Sequence, residues 1–333
     1  MNNVLVVSVN WLGDVVFSTP VYQNLKANFP GVRITALAVP RVQPVLALCP
    51  QVDEVIVYDE DGADRFLPGK LRLIARLRQH RFDAVFFLRP SFSRVSLAFL
   101  AGIPVRVGFN TRNFLGLINR PVSPDGVDQM HRLDGYLALL ARFGLTIQER
   151  TCLLAPDNDS RLKTQKLLLS KGIRENEDFY VLNTGGNWDL KQWPEECFAE
   201  LASRISREKG LKVVLTGAAG DRDRVMRIAA LSGGAPVELA GETDLPGLAA
   251  VFLAARGMIS ADSGPLHLAS ALGVRSVGIF GPTRPEITGP RGRGESVVLI
   301  RDVACNKAPC YYLECPENRC MKAVEVDDVI KVL

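Results

Sequence analysis

Short apolar runs alternate with amphipathic stretches along the whole chain. Val4–Val9, Arg33–Val39, Val55–Tyr58 and Ala84–Leu88 read as buried strands, and Val105–Gly108 as a fifth. Between them Pro20–Asn28, Lys70–Gln79 and Phe92–Ala101 carry apolar residues at helical spacing. In the second of these, Leu71, Ile74 and Leu77 make one face while Arg72, Arg76 and Arg78 project elsewhere. Ser18 or Thr19 is placed to cap a helix opening at Pro20, where the missing N–H costs nothing. The pattern restarts after a polar break at Ala155–Ser160. Strands are expected at Phe179–Asn183, Lys212–Thr216, Val237–Leu239, Gly257–Ser260 and Ser276–Phe280. Helices are expected at Glu195–Lys209, Arg222–Leu231, Leu245–Ala255 and Pro265–Leu272, with Thr243 as a helix start. Such alternation predicts an α/β protein, two doubly wound parallel sheets covered by helices. The domains are residues 1–155 and 156–333, with ligands expected at the carboxyl ends of the strands, in a cleft between the domains.

Composition narrows the classes. With 333 residues and 47% hydrophobic positions, the chain can fill two cores. Its net charge, 40 − 36 = +4, does not make it a nucleic-acid binder. The charge is uneven, however: Arg65–Arg142 holds 13 Lys/Arg against 4 Asp/Glu, a candidate surface for an anionic partner. After Met1-Asn2-Asn3 the chain enters an apolar strand with no basic leader, and no apolar run is long enough to span a bilayer. The expectation is a cytoplasmic protein, with contact at a membrane surface. Seven cysteines, three of them scattered at Cys49, Cys152 and Cys197, fit a reducing compartment. Cys305, Cys310, Cys315 and Cys320 recur every fifth residue, a weak candidate for a structural metal beside the default of ordinary thiols.

The candidate chemistry lies in strand-to-helix turns. Asp14, in Gly13-Asp14 after the first strand, would repel a phosphate; it reads either as a helix cap or as a general base for an acceptor hydroxyl. Gly13 leaves room for a substrate beside the backbone. Thr184, Gly185 and Gly186 offer N–H groups and a hydroxyl to phosphate oxygens, and Lys191 adds a compact positive charge. Asp221 or Asp223 suits ribose hydroxyls or a cap. Asp221-Arg222-Asp223 and Asp59-Glu60-Asp61 match the short D-x-D metal pattern only weakly. Asp262 fits sugar hydroxyls or a cap. Ser263 and Gly264 open a helix whose first-turn amides suit an anion, with His267 one turn on. No G-x-G-x-x-G follows the first strand, which argues against a nicotinamide dehydrogenase. One half that grips a diphosphate and another that presents an acid is the logic of glycosyl transfer. A sugar-nucleotide epimerase and a non-catalytic glycolipid-binding protein are the rival readings.

Trp11-Leu12-Gly13-Asp14, Lys191-Gln192-Trp193-Pro194, Asp262-Ser263-Gly264-Pro265-Leu266-His267-Leu268-Ala269 and Phe280-Gly281-Pro282-Thr283 together resemble glycosyltransferase family 9, the lipopolysaccharide heptosyltransferases. The resemblance implies a GT-B fold of two Rossmann-like domains, inversion at the anomeric carbon, and no cofactor or required metal. It implies an ADP-heptose donor, or another nucleotide-sugar, bound by the second domain. It implies an anionic inner-core glycolipid acceptor bound by the first. Carried over by position, Asp14 is the base and Lys191 neutralises the leaving diphosphate. Thr184, Asp262, Ser263, Gly264 and His267 hold the donor, and the reading of the turns adds Gly185 and Asp221 to them. The basic segment after Arg65, with Lys70, Arg72 and Arg76, faces the acceptor, and the reading of the first turn adds Gly13.

Overall fold

Among the described residues of the computed structural model every strand pairing is parallel, and each of the two compact units, Met1–Leu154 and Ala155–Leu333, is built on one six-stranded sheet. The structure describes all residues except 112, 113, 115, 187, 234, 235, 306–309, 311–314 and 316.

The first unit runs β1 (Asn3–Val7), α1 (Leu12–Asn28), β2 (Arg33–Ala38), α2 (Gln43–Ala47), β3 (Glu54–Val57) and α3 (Leu67–His80). It continues with β4 (Ala84–Phe87), α4 (Phe92–Leu100), β5 (Val105–Phe109), β6 (Arg120–Val122) and α5 (Arg132–Phe143). Its strand order is β3-β2-β1-β4-β5-β6. The chain reverses its winding at β1, so the carboxyl end of β1 is the switch point where such sheets bind ligands. Residues of α3 and α4 pack with Leu5, Val7, Val85 and Phe87 into one continuous core.

The second unit runs α6 (Asn158–Ser170), β7 (Phe179–Asn183), α7 (Glu195–Lys209), β8 (Lys212–Thr216), α8 (Arg222–Leu231) and β9 (Val237–Glu238). It continues with α9 (Leu245–Ala254), β10 (Gly257–Ala261), α10 (Gly264–Ala271), β11 (Ser276–Ile279), α11 (Pro285–Thr288) and β12 (Ser296–Leu299). Two short helices, α12 (Arg319–Lys322) and α13 (Val326–Ile330), end the chain. The order is β12-β11-β10-β7-β8-β9, with the switch between β7 and β10. Trp193 is fully buried; its indole donates to the Val324 carbonyl at 2.9 Å and meets Phe198 edge-on. Burying an indole is worth about 4–6 kcal/mol as an upper bound. That anchor fixes the turn carrying Lys191 to the core.

The ten expected strands follow the apolar runs to within two residues at either end, while β6 and β12 were not expected; α1 does not follow its expectation. It opens at Leu12, eight residues before Pro20, and Ser18 and Thr19 lie inside it rather than capping it. Proline removes the N–H that would bond the Val16 carbonyl. The Thr19 hydroxyl donates to that carbonyl instead, at 2.8 Å, and Ser18 serves Val15 in the same way at 2.8 Å. The helix therefore continues through its proline. Thr243 is likewise not the cap of α9: Asp244 is, accepting the Gly247 N–H at 2.8 Å, because its carboxylate is the better acceptor. The polar stretch at Ala155–Ser160 leads straight into α6, capped by Asp157 at 2.7 Å. Among the described residues no helix is long and apolar enough to cross a membrane.

Candidate active site

Asp14 occupies the third position of α1, just beyond the carboxyl end of β1. Its carboxylate does not cap the helix. Oδ1 instead accepts a hydrogen bond from the Tyr136 hydroxyl of α5 at 3.1 Å. Burial is the main force raising the Tyr136 phenol well above its usual range, with the Asp14 charge second, so the group stays an O–H donor. Arg132, at the start of α5, and Arg89, just after β4, lie within electrostatic reach and oppose that rise. Tyr136, Arg89 and Arg132 were not singled out from the sequence, although the two arginines fall inside the basic segment. Gly13 sits beside Asp14 in the same first turn.

Of the expected acceptor residues, Lys70 and Arg72 lie near the start of α3, at the carboxyl edge of the sheet. Arg76 does not. It faces Glu54 at 3.5 Å, at the amino end of β3 and so at the opposite edge from Asp14. The four residues of helix beyond Arg72, just over one turn, carry it there.

In the second unit a buried polar string crosses the carboxyl ends of three strands. Thr216 donates to Asn183 at 3.3 Å, Asn183 to Ser260 at 3.2 Å, and Ser260 and Ser263 share a hydrogen bond at 2.9 Å. Ser263 is the N-cap residue of α10, yet its hydroxyl is turned to Ser260, and no side chain caps the helix. The first-turn amides at Gly264 thus lack a side-chain acceptor, which suits an anion.

Asp262 is the centre of the site. Oδ2 accepts from Lys191 Nζ at 2.6 Å and from Thr283 Oγ1 at 2.6 Å, and His267 Nε2 stands 3.3 Å from Oδ1. Its side chain is 3% exposed, that of Lys191 23%. Burial by itself would raise the Asp262 pKa; the hydrogen bond from His267 and the Lys191 charge outweigh it and bring the value down to about 2. Sunk this far and bonded by three side chains, Asp262 does not cap α10, one of the two alternatives the sequence left open. It positions Lys191 and His267. Thr283, just past β11, is the partner that reading left unnamed, although it lies within the quoted Phe280-Gly281-Pro282-Thr283 stretch.

The glycine turn after β7 lies alongside. Thr184 is 3% exposed, and its hydroxyl has no hydrogen-bonding partner among the described residues. A buried hydroxyl left so is costly unless a ligand supplies the bond. A Cβ on Gly185 would come within 2.3 Å of Asp221 Oδ2, so a side chain there would have to displace the Asp221 carboxylate. Asp221 folds back to accept the Ala218 N–H at 2.7 Å. One of its oxygens is thereby committed to the turn, the capping alternative. Lys191 Nζ also lies 5.4 Å from the Trp188 ring centre. Cys320 and Cys310 pack against the Gly281-Pro282 turn, the latter through its N–H to the Pro282 carbonyl at 2.7 Å. Among the described residues no group of three His, Cys, Asp or Glu is arranged to hold a metal ion, the four tail cysteines and both D-x-D stretches included.

Known proteins are similar to this chain in sequence and in fold. A family model described as glycosyltransferase family 9 (heptosyltransferase) matches residues 70–320. Lipopolysaccharide heptosyltransferase 2 of Salmonella typhimurium is 30% identical over 314 residues, 89% of this chain and 88% of that one. The protein of the same name from Escherichia coli K12 is 30% identical over 316 residues, with the same coverage. Among solved structures, a glycosyl transferase family 9 protein from Veillonella parvula matches with a TM-score of 0.85 at 24% identity, over 99% of this chain and 95% of that one. The E. coli ADP-heptose lps heptosyltransferase II matches with a TM-score of 0.81 at 24% identity, over 99% and 97%. At that identity the likeness is one of fold, and the fold is of the GT-B type.

Proposed function

The chain belongs to glycosyltransferase family 9 and is a glycosyltransferase; from that premise we propose that it moves a heptose from ADP-heptose to an inner-core lipopolysaccharide acceptor, inverting the anomeric carbon and requiring no metal. The observation that carries this reading is the Lys191 ammonium, held on a buried carboxylate beside a glycine turn whose Thr184 hydroxyl lacks a partner. In this reading Ala155–Leu333 binds the donor and Met1–Leu154 the acceptor.

The reaction is one displacement. The acceptor oxygen attacks the anomeric carbon while its proton passes to the Asp14 carboxylate. The bond from that carbon to the diphosphate oxygen breaks, and the electron pair leaves with the diphosphate. Lys191, the Thr184 hydroxyl and the first-turn amides of α10 take up the charge that develops there. Arg89 and Arg132, near Asp14, draw in an anionic acceptor. Incubation with ADP-heptose and a heptose-accepting core glycolipid should give a product one heptose heavier, with the anomeric configuration reversed in its NMR coupling. Asp14→Asn should abolish that product while leaving thermal stabilisation by ADP-heptose intact. A retained configuration, turnover of donor alone, or a fully active Asp14→Asn would each overturn the reading.

The acceptor's lipid anchor places the work at a membrane, at its cytoplasmic face. The start of α3 suits that contact: Phe66 is 70% exposed and Leu67 68%, with Leu71 one turn on, between Arg65, Lys70 and Arg72. From Arg65 to Arg106 the sequence carries nine Lys/Arg and one acid, Asp83. Sedimentation with anionic vesicles should fall several-fold in Phe66→Ser/Leu67→Ser; equal sedimentation would remove this tip from the contact.

A further inference from the structure

The proposed base has a partner that the reaction does not consume. Tyr136 lies 122 residues from Asp14, on a helix that packs along α1, and reaches it with a 3.1 Å hydrogen bond. Among the described residues nothing else bonds the Asp14 carboxylate, so Oδ2 is left without a donor.

We propose that Tyr136 is a positioning residue for this transfer: its hydroxyl pins Oδ1 of Asp14, fixing the carboxylate so that Oδ2 alone receives the acceptor proton. This rests on Asp14 being the base. The physical case has three parts. A carboxylate one bond from a helix turns about two torsions, and a single strong donor selects one orientation. The donor must not itself ionise over the working range, and Tyr136, raised above its usual range by burial first and by Asp14 second, does not. The bond must also be held from outside α1. That is done by α5, whose Leu133, Leu137, Leu139 and Leu140 are buried, while the His131 ring meets Phe17 of α1 edge-on at 5.0 Å.

Among the described residues, the charged groups that act on the Tyr136 side of this contact are Arg89, after β4, and Arg132, on α5; His131 stands just before α5 and Asp134 lies on it. His131 Nδ1 accepts the Leu133 N–H at 3.1 Å, and Asp134 is paired with Arg150 at 2.9 Å. These groups are common to every variant below, so the differences between variants report on the Tyr136 bond.

The test is the pH–rate profile of the full chain. Tyr136→Phe keeps the ring and removes the donor. A carboxylate that loses a hydrogen bond protonates more readily, so the acid limb of kcat should move up by about one pH unit. On the plateau kcat should fall about tenfold, with the KM for donor unchanged. 3-Fluorotyrosine at position 136, a stronger donor of the same shape, should move the limb the other way. A residue that only fills space would lower thermal stability in Tyr136→Phe and leave the limb where it is; that result, or equal limbs in the phenylalanine and fluorotyrosine proteins, overturns the proposal. Asp14→Asn keeps the two readings apart. If it is active, Asp14 is not the base. If it is inactive while the limb is indifferent to Tyr136, only the positioning role falls.

Discussion

Replacing Lys191 with methionine separates what the lysine does for the fold from what it does for the reaction. In the native site the Asp262 carboxylate sits near pKa 2, despite burial, because the His267 hydrogen bond and the Lys191 charge hold it down. Against an ordinary value near 3.9 that depression is worth about 2–3 kcal/mol of stability at neutral pH. Methionine keeps most of the lysine's volume but strands a buried charge one donor and one cation short. Breaking a wholly buried pair costs about 3–5 kcal/mol; Lys191 is partly in water, so about 2–3 kcal/mol is expected here. In a unit of this size that lowers the unfolding midpoint by about 5–10 °C. Adding Asp262→Asn removes the stranded charge. The double variant should be more stable than Lys191→Met alone, with a coupling of about 1–3 kcal/mol. Activity should not follow stability: both variants lack the ammonium, and both should transfer about 10²–10³ more slowly. Denaturant unfolding and initial rates on the four proteins of the cycle decide the matter. A Lys191→Met protein as stable as the parent, or strictly additive losses, would show that the pair does not hold the site. A double variant that regains turnover would make the lysine a structural residue only.

Two further outcomes follow from the geometry. Because the Asp262 pKa is depressed in the folded state, its contribution is complete above about pH 5 and is lost as pH falls through 4 towards 2; acid unfolding followed by circular dichroism should show a shallower loss over that window in Asp262→Asn, and an identical slope would refute the assignment. Thr19→Val should cost about 1–2 kcal/mol in urea unfolding, since it strands the Val16 carbonyl and removes the acceptor of the Leu153 N–H, and a neutral result would mean that the helix does not depend on that hydroxyl to pass Pro20.

Five of the six strands of the second sheet were readable almost to the residue. Phe179–Asn183 and Lys212–Thr216 are continuous apolar runs because both faces of a parallel strand are covered, and Glu195–Lys209 shows its buried stripe plainly. Helix α6 was not read, because it buries only Thr164 and Leu168 and so has no stripe to see. Strands β6 and β12 were missed as well: one is three residues long with two exposed, the other only partly buried throughout. Pro20 misled for a different reason. Proline counts against a helix interior unless a neighbour replaces the lost bond, and only coordinates show the Thr19 hydroxyl doing so. Asp14, Lys191 and the Ser263 turn could be singled out because strand-to-helix turns are local and recur in kind. Their partners were not: Tyr136 and Thr283 come to Asp14 and Asp262 through the tertiary fold, from 122 and 21 residues away.

The bond between Lys191 and Asp262 also decides what the resting enzyme ignores. A bare ammonium beside a row of free amides would be occupied by any small anion in solution, inorganic phosphate first. Here the cation is already neutralised, and an incoming anion must compete with a carboxylate 2.6 Å away. That tax falls equally on every visitor, so a lone phosphate with few contacts cannot meet it, whereas a ligand that engages amides, hydroxyl and lysine together can. On the proposed reading, in which Lys191 receives the diphosphate, the internal counter-ion favours ligands that engage several groups at once over a lone small anion.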